Sequence, residues 1–196
     1  MSIALTIFST LAFGILYASI AEWNLHKHLM HTRRRWFDYP YRKHALVHHV
    51  RYKADASYHL LDSCGDTQIP MTWWNGPALV VVGMIPVVPV ASLVGHFIGD
   101  AEGWTIFWTA LFTFAGYYGV YERLHWCFHA PMDRWIEGRR IFRWLNAHHL
   151  LHHQYMWKNY NVVFPFADWL FRTLLLRAPR NFPQARGSAV PDVQPI

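Results

Sequence analysis

Asn146-Ala-His-His-Leu-Leu-His-His153 places four histidines in the six residues from His148 to His153. Read as a helix, the stretch sets His149, His152 and His153 at i, i+3 and i+4, on one face. Imidazole is the commonest side-chain metal ligand, so that face reads as one part of a metal site. The rest of the chain must then supply the other parts.

It does so in three further groups: His26, His28 and His31; His44, His48 and His49; His125 and His129. Twelve of the 14 histidines belong to such groups, and only His59 and His96 stand apart. Those two read as ordinary hydrogen-bonded or interfacial residues. Attraction of cationic histidines to anionic headgroups would explain charge near a membrane, but not the helical spacings. The chain already carries 14 arginines suited to that task.

Between the groups lie three apolar runs, at about residues 3–21, 77–98 and 104–120. Each approaches the roughly 20 residues that span a bilayer as a helix. Pro86 and Pro89 interrupt the second, as membrane helices tolerate. The first reads as a retained anchor, since no cleavage site follows it. Gly99-Asp-Ala-Glu-Gly103 reads as an acidic link between the second and third. All 18 lysines and arginines fall within residues 27–53 or 123–186. By the positive-inside tendency, residues 22–76 and 121–178 form a cytoplasmic cap, followed by a tail over 179–196. Basic residues segregated in this way point to a membrane and away from nucleic acid. Ala167 to Leu176 is too short to span and reads as an interfacial helix pairing Asp168 with Arg172 at i, i+4. Cys64 and Cys127 form no metal or disulfide pattern.

The expected fold is therefore an all-α integral membrane protein, a single domain over 1–196. It has about three transmembrane helices and a helical cap that holds a histidine-rich dimetal site. A catalytic zinc usually takes three protein ligands and a structural one four. Ten or more clustered histidines exceed that need and call for two metals. Nitrogen-rich sites with open positions suit iron. The zinc-protease pattern H-E-x-x-H is absent.

The four boxes, H-K-H-L-M-H from His26, H-A-L-V-H-H from His44, H-W-C-F-H from His125 and H-L-L-H-H from His149, resemble those of the fatty acid hydroxylase/sterol desaturase superfamily. The run Asn159 to Thr173 is similar to that family's closing signature. The resemblance implies a membrane enzyme that uses two iron ions and O2 to hydroxylate an unactivated C–H bond of a lipid drawn from the bilayer. Zinc can replace iron in such a site on purification. A lipid or sterol desaturase, or a carotenoid hydroxylase, would use the same boxes. Carried over position by position, the implied ligands are His26, His31, His44, His48, His49, His125, His129, His149, His152 and His153. His28 and His148 fall outside the pattern and read as supporting residues, as do Glu22 and Glu122, one turn before the first ligand of their helices. With no fused electron-transfer domain, the resemblance implies an external donor, a ferredoxin or a cytochrome b5 with its reductase. The active site would face the cytoplasm, in a bacterial inner membrane rather than the endoplasmic reticulum. A histidine-rich metal transporter or sensor is the reading outside enzymes. It requires ionisable residues within the spans, where only His96 lies.

Overall fold

A computed structural model describes residues 2–59 and 74–178. Cys64, part of the expected cap, and the tail after Pro179 lie outside the described residues. Among the described residues the chain is helical and contains no strand.

Helix α1 (Ile3–Leu25) opens on Ser2, whose hydroxyl accepts the Leu5 amide at 3.3 Å, as an N-cap serine does. It continues into a π-helical turn, His26–Met30. A short helix α2 (Tyr39–Lys43) with Pro40 in its first turn runs into a second π-turn, His44–His48, and then α3 (His49–Arg51). The second apolar run forms α4 (Asn75–Met84) and α5 (Val87–Phe97), bent by 42° where Pro86 interrupts the ladder. Helix α6 (Asp100–His129) follows, then α7 (Arg140–Gln154) and α8 (Phe166–Leu170).

Ile3–Met30 is one helix long and apolar enough to cross a membrane, and the bent α4–α5 pair qualifies if it counts as one span. The third expected run forms the middle of α6. That helix does not reach the hydropathy of a span, because tryptophans, tyrosines and glycines interleave its aliphatic residues. The acidic link is not a separate loop. Asp100 and Glu102 form the first turn of α6, where carboxylates oppose the positive helix end.

The three long elements meet through small residues. A Cβ on Gly103 would sit 2.7 Å from the Ala91 carbonyl oxygen and 2.9 Å from Gly95 Cα, so the backbones of α5 and α6 touch there. A Cβ on Gly14 of α1 would sit 3.0 Å from Thr113 of α6. Ala18, Met84, Ala110 and Phe114 fill the space between α1, α4 and α6.

The closing apolar piece differs from expectation. Helix α8 stops at Leu170 because Arg172 turns to a positive φ of 58° and the amides of Thr173 and Leu174 fold back onto the Asp168 carbonyl, at 2.8 and 3.0 Å. That closure is a left-handed C-terminal cap. Asp168 and Arg172 therefore form no surface pair: Asp168 is fully buried and its carboxylate points inward.

Candidate metal centre

The first and second boxes owe their geometry to the π-turns. In an α-helix, residues i and i+5 diverge by about 140°. Here the His31 amide bonds the His26 carbonyl at 3.0 Å, and the His49 amide bonds that of His44. Each i→i+5 closure brings its pair of imidazoles to one side. His48, one residue before His49, then faces the other way.

Two groups of five histidines result. His26, His31, His44, His49 and His152 form one; His48, His125, His129, His149 and His153 form the other. Within each group the ligand nitrogens lie within 4.8 Å of one another. The groups abut, with the His49 and His153 rings 4.3 Å apart. All ten expected ligands are present, five to a group. The fourth box is divided between them: His149 and His153 enter one group and His152 the other.

The inward atom is Nε2 in every case. His26 and His44 approach at 2.8 Å, His44 and His49 at 3.0 Å, and His31 and His152 at 3.1 Å. In the second group, His48 lies 3.2 Å from both His125 and His153, and His149 lies 3.1 Å from both His129 and His153. With metal–nitrogen bonds of about 2.1 Å, neighbouring ligands of a five- or six-coordinate ion lie about 3.0 Å apart, against about 3.4 Å around a tetrahedral one. The spacing fits the higher coordination numbers.

The ring protons also call for a cation. The Nδ1 atoms of His26, His129, His152 and His153 meet the carbonyl oxygens of Tyr160, Tyr58, Lys158 and Tyr52. A carbonyl only accepts, so these Nδ1 atoms donate and the matching Nε2 atoms carry lone pairs. His129 and His153 thus aim two lone pairs at the single Nε2 of His149. One proton cannot satisfy both, whereas a cation satisfies all three. Burial, and then the neighbouring imidazoles, hold His44, His48, His149 and His153 well below their usual pKa of 6.5. Burial takes His129 down to about 3 and His152 to about 4, even though a carbonyl contact pulls each part of the way back. All are neutral at pH 7, the form that binds a metal.

The supporting residues fall in unexpected places. His148 meets Asp168 at 3.3 Å and touches neither group. His28 is half-buried against the Trp23 ring, outside both groups. Glu22 does not orient His26, whose Nδ1 belongs to the Tyr160 carbonyl. Its carboxylate accepts from Tyr117 Oη (2.7 Å), Asn161 Nδ2 (3.0 Å) and the Val162 amide (2.5 Å). Glu122 pairs with Tyr118, while His125 Nδ1 is buried without a hydrogen-bond partner. His96 is exposed, and Cys127 packs in the core beside Phe128.

Sequence reading placed the residue that ties the centre together, Asp168, within the closing signature but paired it with Arg172. Asp168 accepts the amides of Tyr160 (2.9 Å) and Asn161 (2.8 Å), the Thr173 hydroxyl (2.6 Å) and the His148 ring. Burial pushes its pKa up, but these bonds outweigh burial and hold it below the usual 3.8. Thr173 in turn accepts from the Trp23 indole at 2.8 Å, and Asn161 reaches Glu22 and the Ser19 carbonyl. Asn159, at φ 55°, clasps the His148 and Leu175 carbonyls. This knot locks α7 onto α1 and aims the Tyr160 carbonyl at His26. The available signal was Asn159-Tyr-Asn161 followed seven residues later by an acid within an aromatic run.

Family models, curated proteins and solved structures were all compared with the chain, and none matches it.

Proposed function

We propose that the protein is a membrane di-iron enzyme that uses O2 to hydroxylate an unactivated C–H bond of a lipid, with electrons from an external donor. The observation that carries this reading is the pair of abutting five-histidine groups with Nε2 spacings of 2.8–3.2 Å. All-nitrogen ligation by five imidazoles suits iron better than structural zinc, which takes four ligands. Iron bound there would supply the activation of O2 and the oxidation of carbon.

The chain's own residues do the rest. The carbonyls of Tyr52, Tyr58, Lys158 and Tyr160 fix ring orientation and tautomer, as outer partners of metal-bound histidines do. Burial of nine of the ten rings excludes water. An apolar pocket between α1, α4 and α6 reaches His26 from the side of the apolar helices, a path suited to an oily substrate. Exposed Phe8, Phe13, Val81, Phe97 and Phe112 give those helices an apolar outer surface, which supports a membrane setting, and the segregation of lysine and arginine away from the apolar runs supports histidines on the cytoplasmic side. The four boxes and the closing Asn159–Thr173 run support the family resemblance independently of this geometry.

Comparative lipidomics tests the reading. Cells expressing the native chain are compared with cells expressing a His152→Ala, His153→Ala variant. A lipid that gains one oxygen only with the native chain is the expected result. Loss of two hydrogens instead would assign desaturation. No lipid change from a fully iron-loaded native protein would overturn the proposal.

A further inference from the structure

Hydroxylating one C–H bond with O2 takes up two electrons and two protons and releases one water, so the proposed chemistry needs a reductant. Nine of the ten inward rings are buried, which closes the centre to direct contact with one. Electrons must therefore cross a wall of protein, and the second histidine box is a thin one. Its inner side carries His44 and His49 of one group and His48 of the other. Its outer side carries Leu46, Val47 and Val50, all exposed, Val50 by 62%. From outer side chain to inner ring is about one helix diameter, 10–12 Å, a distance that electrons tunnel readily.

An exposed apolar patch inside a polar rim marks a docking surface, and here the rim is basic. Arg51 and Lys53, both exposed, close the box on one side. On the other, exposed Arg33, Arg34 and Arg35 lead into Trp36, which is 89% exposed. Asp38 ties this loop to α2 by pairing with Arg33 at 3.8 Å and Arg42 at 3.2 Å, and α2 packs on the first π-turn. Residues 23–54 hold eight lysines and arginines against one acid, Asp38. Bilayer lipid does not reach such a loop in the membrane setting proposed above. His31, which precedes it, lies ten residues beyond Ala21, about 15 Å along a helix. The headgroup layer is only about 5–8 Å deep.

We infer that the outer face of the second box, with the Arg33–Phe37 loop beside it, is the docking surface of an acidic one-electron carrier protein, which delivers its two electrons in successive encounters. The inference rests on the reading of the centre as an O2-using hydroxylase and adds where its reductant binds and what charge that reductant bears. Opposite charge steers the carrier to the rim and speeds encounter at low salt. Leu46, Val47 and Val50 then give it an apolar contact from which water is excluded. The position also lets one carrier serve both groups, since the same box lends ligands to each.

The test is equilibrium binding of two soluble carriers, an acidic two-iron ferredoxin and the haem domain of cytochrome b5, to the full-length, metal-loaded protein in nanodiscs of neutral lipid. At least one should bind, with a Kd that rises as salt is added. The double variant Arg33→Glu, Arg35→Glu should weaken that binding about tenfold, and Val50→Asp should do the same; retained metal reports folding in both. The double variant Arg139→Glu, Arg140→Glu, at the start of α7 and nine or more residues before His149, should leave Kd unchanged. Binding of neither carrier, native affinity in both the Arg33/Arg35 and the Val50 variants, or an equal loss in the Arg139/Arg140 variant overturns the inference. A fluorophore on Val50→Cys, with Cys64→Ser and Cys127→Ser, checks the bilayer as the alternative partner. Quenching of it by brominated lipids would assign the face to lipid and overturn the inference too. Binding is read without turnover, so this failure is separate from any failure of the lipidomic test.

Discussion

Asp168 supports the metal centre without touching it. Removing its carboxylate strands two buried amides, a hydroxyl and an imidazole. Asp168→Ala should therefore cost about 3 kcal/mol or more, read as a lowered unfolding midpoint in detergent, and His148→Phe should cost clearly less. A variant as stable as the native chain would contradict the proposed knot. The two histidine groups make a second prediction. His152→Ala and His153→Ala remove one ligand from different groups, so each variant should lose preferentially one of two bound metals, measured by elemental analysis. The histidine groups were legible in the sequence as clusters, while the choice of the ten inward ones came from the family resemblance, because the i, i+5 spacings of His26–His31 and His44–His49 share no face of an α-helix. The roles of Asp168, Asn159 and Asn161 within the closing signature were not legible, because a polar residue in an aromatic run reads equally well as an interfacial one. Glu22 and Glu122 were placed one turn before a ligand correctly, yet a turn of helix does not say which partner a carboxylate meets.

The π-turns set the registers of whole elements. Inserting one alanine between Leu29 and Met30 should move His31 off the side it shares with His26 and away from His44 and His152, since neither an α-turn nor a π-turn aligns residues i and i+6. The expected result is loss of metal from the first group with the second retained and helical content unchanged. Retention of both metals would show that the register of this turn is dispensable. A second element-scale prediction concerns Gly103, where α5 and α6 touch backbone to backbone. Gly103→Val must push the helices apart and should destabilise by about 1–3 kcal/mol, seen in thermal unfolding. Sequence periodicity located the long helices but not the π-turns, since the H-x4-H spacing of His26 and His31 fits no face of an α-helix. It also carried the last helix to Leu176. The cap at Arg172 depends on Asp168 folding inward, a tertiary bond that no local pattern announces.

At the scale of the whole molecule, the fold buries imidazoles in numbers and so ties stability to pH. In the unfolded chain each histidine titrates near its usual 6.5, whereas burial holds His129 at about 3 and His152 at about 4 in the folded one. Between those values the unfolded chain binds more protons, so stability falls as pH falls. Above about pH 6.5 these histidines contribute no further pH dependence. Asp168, held below 3.8, stays ionised throughout that window and cannot produce the effect. Metal-free protein should therefore show a steep decline of the unfolding midpoint from pH 6.5 towards 4. With metal bound, the decline should begin at lower pH and coincide with release of the ions, because protons and metal compete for the same Nε2 atoms. Following unfolding by circular dichroism and metal release by a chelating dye on one sample checks both. A midpoint unchanged between pH 7 and 5 in the metal-free protein would mean that the imidazoles are hydrated when the metal is gone. The two five-histidine groups would then be assembled by the ions and not by the packing of α1, α6 and α7.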